Sequence, residues 1–404
     1  MAVIEAPPRP RPGRRVPPIR DVAAALGAFG LLVVPLLALK FASGKFPLDL
    51  AVYREAGRVV LHGGNPYAPA FGRDLRVPLP FTYPPFAAMA AVVLALVPNA
   101  LLGALWTALS LGLLGAIAWL AFRPAIQRVE REPPVARWPA WQRAAAFGAV
   151  VGLLAWTVPL NETISFGQVN LVLAGACLLD CSRPSGRRGV LVGLATAIKL
   201  TPGIFVAYFA VTRQWAAAAR AAAVALACEV LATVVLPHPS RQYWLHLAWT
   251  PGRTGNPGYF TNQSLYGVVT RLHLPLVLWP LLAAGAGVLG LWRAARAHAA
   301  GAELAAVALV GLTGVLVSPI SWQHHAVWII VVLGVLAAWA ATLHEAAVVV
   351  GVLVLFLIPF PLLGHGLLSG TGPLQVVLVN ADVLAFVALL ALLPLARPNR
   401  VTLA

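Results

Sequence analysis

The apolar run VAAALGAFGLLVVPLLALKFA occupies residues 22–42 and decides the fold class of the chain. It carries no charge before Lys40, and a helix needs about 20 apolar residues to cross the hydrocarbon core of a bilayer. The run is longer than the core of a signal peptide and lacks a cleavage site of small residues. We therefore predict an uncleaved first membrane helix that runs from the inside to the outside.

Similar apolar runs recur along the rest of the chain. Hydrophobic residues make up 60% of the 404 residues and charged residues only 10%, whereas soluble domains carry about 25% charged residues. Too few charges exist to cover a water-soluble globule, so the composition predicts an all-α polytopic membrane protein of roughly 11–13 transmembrane helices. The further spanning candidates are 85–122, 143–160, 169–181, 189–211, 217–236, 276–292, 303–318, 326–341, 346–363 and 374–396.

The charge of the chain is strongly unbalanced, with 29 Lys and Arg against 13 Asp and Glu, a formal +16. In a soluble protein this would indicate nucleic acid, but here most arginines stand between apolar runs, where they orient membrane helices. We therefore expect no nucleic-acid partner and assign the basic connections to the cytoplasm. These connections are 123–143, 183–188, 213–220, 293–296 and 397–400.

The remaining segments predict the domain organisation. The first twenty residues contain six prolines and five arginines, which indicates a disordered basic cytoplasmic arm over 1–21. A single transmembrane domain follows over 22–396, and 397–404 form a cytoplasmic tail. Within the domain, 43–83 form a first external loop and 237–275 a second large one. The first loop is expected to carry a short amphipathic helix that follows Asp49, lies along the membrane surface and ends at Gly63 and Gly64. The residues at helical spacing on its apolar face are Leu50, Tyr53, Ala56, Val60 and Leu61.

Two apolar segments do not fit a single unbroken helix that crosses the membrane once. Residues 189–211 carry Lys199 and Pro202 at their centre, which favours two half-length helices that meet near the outer side. Residues 85–122 are interrupted at Pro98 and Asn99, so they form either one long helix with a re-entrant start or two crossings. The two alternatives place the 123–143 connection on opposite sides, and its charge favours the cytoplasm.

Four polar clusters are expected to meet at the outer face, each at the end of an apolar helix. They are the loop around Asp49, the turn over 161–170, the loop 237–275 and the segment SPISWQHH over 318–325. Neutral side chains in these clusters suit sugar hydroxyls as hydrogen-bond donors and acceptors, although each alone also suits a helix end. We predict substrate contacts from Gln168, Asn170, Asn262, Gln263, Tyr83 and Trp322.

Three kinds of ionisable side chain carry the expected chemistry. Asp49 follows the first membrane helix and suits a general base for a hydroxyl group, although the N-cap of the next helix is an alternative role. Lys199 lies in an apolar segment where an unpaired ammonium is costly, so it is either paired structurally or offered to an anion such as a phosphate. His324 and His325 are expected to direct one ring inward and one to water, and to hydrogen-bond a phosphate or hydroxyl.

No cluster of His and Cys stands at metal-ligand spacing, so we predict no metal and no cofactor. The three cysteines lie in apolar helices, and we interpret Cys177, Cys181 and Cys228 as small packing residues.

Seven stretches, taken in order, resemble glycosyltransferase family 87 over about residues 20 to 395. They are LDLAVYREAG (48–57), LHGGNPY (61–67), LPFTYPPF (79–86), FGQVN (166–170), AIKLTP (197–202), NQSL (262–265) and SPISWQHH (318–325). The resemblance implies a GT-C fold and a bacterial plasma-membrane enzyme that faces the periplasm or outside. It also implies a polyprenyl-phosphate sugar donor and a lipid-linked glycan acceptor, as in the actinobacterial α-1,2-mannosyltransferases of phosphatidylinositol mannoside and lipomannan synthesis.

The resemblance also assigns roles to residues. It implies that Asp49 is the catalytic base and that a histidine of the last motif is functional, which is His324 or His325. The FTYPPF stretch over 81–86 favours mannose, while related members transfer arabinofuranose.

Two other classes of protein share the composition. A lipid or sugar transporter would also have a broken helix near Pro202, but transporters show internal repeats, and no self-similarity between the halves is evident. A structural membrane scaffold would leave Lys199 without a role.

Overall fold

The described chain is mainly helical and contains no β-strand, as the sequence predicts. In the computed structural model, the described residues are 17–42, 44–73, 75–133, 135–366 and 372–395. Most of the predicted arm over 1–21 and the whole predicted tail over 397–404 lie outside these residues. The first helix begins at residue 19, inside the predicted arm, so the membrane helix is three residues longer at its start than predicted.

The first half of the chain supplies eleven helices. They are α1 (Ile19–Phe41), α2 (Leu48–Leu61), α3 (Pro85–Ala90), α4 (Val92–Ala95), α5 (Asn99–Val129), α6 (Ala140–Leu154), α7 (Val158–Phe166), α8 (Asn170–Cys181), α9 (Val190–Ile198), α10 (Ile204–Val211) and α11 (Trp215–Val235). Short 3₁₀ turns connect some of them at Val135–Arg137, Ser185–Arg187 and Thr201–Gly203.

The second half supplies nine more helices. They are α12 (Pro237–Leu245), α13 (Leu265–Arg271), α14 (Leu278–Ala299), α15 (Glu303–Val317), α16 (Ile329–Trp339), α17 (Leu343–Leu357), α18 (Phe360–Gly366), α19 (Pro373–Val379) and α20 (Ala381–Leu392). Further 3₁₀ segments lie at Leu247–Trp249, Pro251–Thr254 and Gln323–Trp328.

Four helices of the described chain are long and apolar enough to cross a membrane: α1, α5, α11 and α14. Three bent pairs pass the same test together, α6 with α7, α17 with α18 and α19 with α20, with bends of 75°, 47° and 69°. Five shorter apolar helices complete the bundle. The chain is thus a polytopic membrane protein, and the exact number of crossings stays a prediction.

The structure describes helix breaks in both ambiguous segments. In the segment 85–122, two short helices, α3 and α4, precede the long helix α5, and the choice between one crossing and two stays a prediction. Because α5 continues to Val129, Arg123 lies inside a helix, and the predicted basic connection is shorter than expected. In the same way α14 continues to Ala299, so Arg293 and Arg296 also lie in a helix rather than in a loop.

The segment 189–211 is broken as predicted. Lys199 is extended, with φ −151° and ψ 131°, directly after α9. Pro202 then begins a 3₁₀ turn before α10, because a proline lacks the N–H that would continue the helix. Proline acts similarly at Pro159, the second residue of α7, where the α6–α7 pair bends.

The centre of the bundle is formed by α15 and α16. Every residue of α15 from Ala305 to Leu316 is buried, and so is every residue of α16 from Ile329 to Leu336. α15 packs on α10, α14, α16 and α20, while α16 packs on α5. A helix that is apolar and buried on all sides forms the core of the bundle. The C-terminal end of α15 leads directly into the 318–325 segment.

The first external loop contains the predicted amphipathic helix. α2 buries Leu50, Tyr53 and Ala56 against α3, α4 and α7. Leu61, which we also expected on this face, is 49% exposed. The second loop over 237–275 is not one open loop, since it contains α12, α13 and two 3₁₀ segments.

The three cysteines are free thiols. Cys177 and Cys181 are fully buried in α8, which agrees with their interpretation as packing residues. Cys228 is partly buried in α11.

Candidate active site

One cavity of about 600 Å³ collects most of the predicted site residues. Its walls come from α2, the 79–84 segment, α7, the break after α9, the second loop and the 318–325 segment. Seven predicted residues line it: Asp49, Tyr83, Gln168, Lys199, Trp322, His324 and His325. Segments far apart in the sequence are thus brought together as expected.

Asp49 is the second residue of α2, and its side chain lines the cavity. The N-cap position of α2 is Pro47, and no side chain caps this end of the helix. The alternative role of Asp49 as N-cap is therefore not what the structure shows. A carboxylate in the first turn still interacts favourably with the helix dipole.

The surroundings of Asp49 act on its pKa in opposite directions. Burial raises the pKa of this carboxyl, because it takes the charged form away from water. His324, the Gln168 amide and Lys199 lower the pKa, and Glu162 raises it. A carboxylate with a raised pKa that faces a cavity is suited to accept a proton.

Lys199 is placed by the break between α9 and α10. Its Nζ donates to Asn170 Oδ1 at 2.9 Å and to His325 Nε2 at 3.0 Å, and it lies 5.4 Å from the centre of the Tyr83 ring. Both hydrogen-bond partners are neutral, and no carboxylate lies within ion-pair distance of Nζ in the part of the chain that the structure describes. Since an ammonium has three donors, one stays available to an anion in the cavity.

Both histidines line the cavity, and the expectation of one ring directed inward and one to water stays a prediction. His324 is 6% exposed, and neither of its ring nitrogens has a hydrogen-bond partner among the described residues. Its Nδ1 lies 3.6 Å from Glu162 Oε2. His325 accepts from Lys199 through Nε2, which places its own proton on Nδ1.

Three predicted substrate contacts lie outside this cavity. Asn170 holds Lys199 and donates through Nδ2 to the His324 carbonyl at 2.7 Å, and it lines a separate cavity of about 40 Å³. Asn262 and Gln263 are fully buried. We correct their assignment from substrate contact to support of the site.

The hydrogen bonds of these two residues explain the correction. Asn262 donates to the carbonyls of Pro257 and Pro319 and accepts from the Ser321 N–H. Gln263 donates to Phe260 and Val379 and accepts from the Val383 N–H. Both donors of each amide are taken by backbone carbonyls, and both side chains are fully buried, so neither is available to a sugar. Asn262 instead fixes the second loop against the 318–325 segment.

Glu162 is the main site residue that sequence reasoning did not select. It lies in α7, faces the cavity and stands next to His324. The sequence did contain a signal for Glu162, because a carboxylate within an apolar helix is costly unless it has a function or a partner. The cavity also exposes Tyr243, Thr254, Tyr259 and Thr261 from the second loop, which sequence analysis did not identify.

The described residues contain no group of three or more His, Cys, Asp or Glu side chains placed to hold a metal ion. Hydrogen-bond donors line the cavity instead, among them the Lys199 ammonium, the Gln168 amide and the His324 ring. An anion in this cavity would meet Lys199 and the unpartnered ring of His324.

Comparison with known proteins gives a consistent result. The model of glycosyltransferase family 87 matches residues 81–319, a range that contains Lys199 but neither Asp49 nor His324. A polyprenol-phosphate-mannose-dependent α-(1-2)-phosphatidylinositol mannoside mannosyltransferase of Mycolicibacterium smegmatis is 34% identical over 318 residues, 74% of this chain and 71% of the relative.

Two further similarities extend the comparison. A polyprenol-phosphate-mannose-dependent α-(1-2)-phosphatidylinositol pentamannoside mannosyltransferase of Mycobacterium tuberculosis is 32% identical over 334 residues, 80% of this chain and 74% of the relative. Among solved structures, ArnT from Cupriavidus metallidurans bound to undecaprenyl phosphate is 21% identical. It has a TM-score of 0.35 and the match covers 91% of this chain and 77% of ArnT.

Proposed function

Because the chain belongs to glycosyltransferase family 87, we propose that it transfers mannose from a polyprenyl-phosphate-mannose donor to a lipid-linked mannoside, forming an α-1,2 linkage. The mycobacterial relatives named above support this choice of sugar and acceptor over an arabinofuranose donor. Family membership also supports the GT-C assignment of the all-α bundle and argues against a transporter.

The observation that carries the proposed mechanism is that Asp49, Lys199 and His324 line the same cavity. The acceptor hydroxyl oxygen attacks the anomeric carbon on the face opposite the lipid phosphate, and its proton passes to Asp49. The bond between the anomeric carbon and the phosphate oxygen breaks, and its electron pair leaves with the lipid monophosphate. One base is sufficient for this inverting displacement, so a β-linked donor gives an α-linked product.

The leaving phosphate needs positive charge or hydrogen-bond donors in a site that excludes water. Lys199 supplies an ammonium that is already oriented by Asn170 and His325. His324 supplies a ring whose nitrogens have no hydrogen-bond partner among the described residues, and its Nδ1 lies 3.6 Å from Glu162 Oε2. These two residues are our candidates for binding the phosphate, and the site needs no metal ion for this purpose.

Trp322 and Tyr83 are proposed to contact the sugars. Both line the cavity with aromatic faces, which suit the apolar side of a sugar ring. Gln168 was expected to contact substrate as well, but its hydrogen bonds indicate another role, which is described below.

The distribution of charge supports an active site on the extracytoplasmic side. Lys40, at the C-terminal end of α1, donates to the Asn161 carbonyl beside Glu162, so this end of α1 lies near the cavity. The opposite end of α1 carries Arg20, and the last turns of α5 carry Arg128. Basic residues collect on the cytoplasmic side of membrane proteins, and this rule supports our proposal that the cavity faces outward.

An assay with labelled donors tests the function directly. The purified protein in lipid nanodiscs is incubated with polyprenyl-phosphate-mannose and phosphatidylinositol mannosides, and the labelled product is analysed for linkage. We expect transfer of mannose and no transfer from a polyprenyl-phosphate-arabinose donor. Transfer of arabinose alone would contradict the sugar assignment. Uptake of label into proteoliposomes without any glycolipid product would contradict an enzyme.

A further inference from the structure

Tyr53 belongs to a hydrogen-bonded group beside the cavity that the mechanism above does not use. It is one helical turn after Asp49 on α2, and residues four apart on a helix lie on the same face. Tyr53 is 6% exposed, and it is absent from the residues that line the cavity. It therefore has no route to direct contact with a substrate.

The hydroxyl of Tyr53 engages the side chain of Gln168. It donates to Gln168 Oε1 at 2.9 Å and lies 2.8 Å from the Tyr83 hydroxyl. Tyr83 reaches the same Oε1 at 3.3 Å. The Tyr53 hydroxyl has a single proton, so when it donates to Gln168 Oε1 it accepts in its contact with Tyr83.

These contacts orient the Gln168 amide. Gln168 is 3% exposed, and its carbonyl oxygen accepts from the Tyr53 hydroxyl with the Tyr83 hydroxyl 3.3 Å away, so its N–H₂ group points away from both tyrosines. Asp49 and Gln168 line the same cavity, and Gln168 lowers the pKa of the Asp49 carboxyl as a hydrogen-bond donor does, so the N–H₂ group is the part of the amide that faces Asp49. The reversed amide would place Oε1 against the carboxylate of Asp49, and two acceptors repel each other.

We infer that Tyr53 is a positioning residue, which fixes the Gln168 amide so that it donates to Asp49 and holds this carboxylate in orientation for proton transfer. Gln168 is then a partner of the base and not a ligand of sugar hydroxyls. The inference rests on the proposed role of Asp49 as general base. Burial raises the pKa of both Tyr53 and Tyr83, so both stay neutral donors throughout the working pH range.

The charged groups around Asp49 define what a pH experiment reports. Glu162 faces it from α7, Lys199 from the break after α9, and His324 from the 318–325 segment. Tyr53 and Tyr83 are the remaining titratable neighbours. Because Tyr53→Phe leaves all the charged groups in place, the difference between the two pH profiles reports the lost hydroxyl alone.

The test is the pH profile of kcat/KM for mannose transfer by purified Tyr53→Phe. Without the hydroxyl the Gln168 amide is no longer fixed, and the Asp49 carboxylate loses a hydrogen bond that favours its charged form. We expect the acid limb of the profile to move up by about one pH unit. Activity should fall about tenfold below this limb and recover at higher pH, with the donor KM unchanged.

Two further variants separate positioning from packing. Gln168→Leu should show the same upward shift, and Tyr53→Phe should add no further shift in the Gln168→Leu background, because both act through one path. Tyr266→Phe is the matched control. Its ring packs on Trp279, with 4.9 Å between centroids, outside the cavity, so its profile should match that of the parent.

Specific outcomes would overturn the inference. They are an unmoved acid limb in Tyr53→Phe, an equal loss of rate at every pH, or independent shifts from the two changes. Failure of the proposed mechanism is recognised separately, since it would show as full transfer by Asp49→Asn. If Tyr53→Phe does not fold, the Gln168→Leu profile decides the question alone, because an unmoved acid limb there removes the amide from the mechanism.

Discussion

Replacement of Asp49 by asparagine should separate activity from stability. Asparagine has nearly the same shape, keeps the start of α2 and removes only the group that accepts a proton. A general base contributes about 10²–10⁴ in rate, equivalent to about 3–5 kcal/mol of barrier. We therefore expect kcat for mannose transfer to fall by at least a hundredfold, while the KM of the donor changes little.

Thermal stability should stay the same or rise in Asp49→Asn, although the activity falls. Burial raises the pKa of Asp49 in the folded protein, so the folded state binds this proton more tightly than the unfolded state. Its contribution to stability is present at low pH and is lost as pH rises from the unfolded pKa, about 3.9, through the raised folded pKa. Above both values the buried charge is a cost, and asparagine removes it.

One opposing effect is small. The carboxylate in the first turn of α2 interacts with the helix dipole, which contributes about 0.3–1 kcal/mol. The net expectation is a melting temperature equal to or above that of the parent at neutral pH. As pH rises above the unfolded pKa of about 3.9, the melting temperature of the variant should also fall less than that of the parent.

The experiment uses detergent-purified protein, thermal unfolding at several pH values and the labelled-mannose assay. Asp21→Asn is the matched control, because Asp21 stands in the first turn of another helix, α1, outside the active-site cavity. It should keep transfer activity. Near-normal turnover by Asp49→Asn would remove Asp49 from the mechanism, and a strongly lowered melting temperature would refute our account of its burial.

Three further predictions concern the phosphate site, the turn beside α2 and metal dependence. Lys199→Met should raise the KM of the donor by about 10- to 100-fold through loss of a charge-assisted hydrogen bond, and an equal rise in the KM of the acceptor would contradict a phosphate role. Gly167→Ala should lower the melting temperature by several degrees, because Gly167 has φ +70° and a Cβ there would lie 2.7 Å from Leu50 Cβ, a strain of about 1–3 kcal/mol. Gly112→Ala, which meets open space inside α5, is its control, and equal melting curves for the two variants would show that the contact has no effect. Mannose transfer should persist in excess EDTA, and strict dependence on an added divalent cation would contradict phosphate binding by side chains alone.

The sequence was a better guide to which residues belong to the candidate site than to how these residues are arranged. Asp49, Lys199 and the two histidines stand out because ionisable groups are costly near lipid, so their presence signals a site or a pairing. The roles of the amides were harder to infer. Asn262 and Gln263 have the same chemistry as any sugar-binding amide, and only the structure shows that backbone groups already occupy them.

Glu162 and Tyr53 have contacts that the sequence did not predict. Glu162 belongs to a polar turn that was expected at the outer face, but its distance to His324 depends on the packing of α7 against the 318–325 segment. Tyr53 was expected to be an apolar-face residue of α2, and it is buried there. Its hydroxyl acquires a role only because Gln168 and Tyr83 arrive from two other segments.

The sequence by itself determined that this protein is a helical membrane protein with breaks at its prolines. Hydropathy and the missing proline N–H act locally, so a window of 20 residues contains the necessary information. The tertiary structure decided which polar side chains face the cavity and which are saturated. That depends on distances between residues more than 100 positions apart, such as Lys199 and His325 at 3.0 Å, and on the direction in which each donor points. Such distances and directions follow from the packing of the whole bundle, which no local pattern encodes.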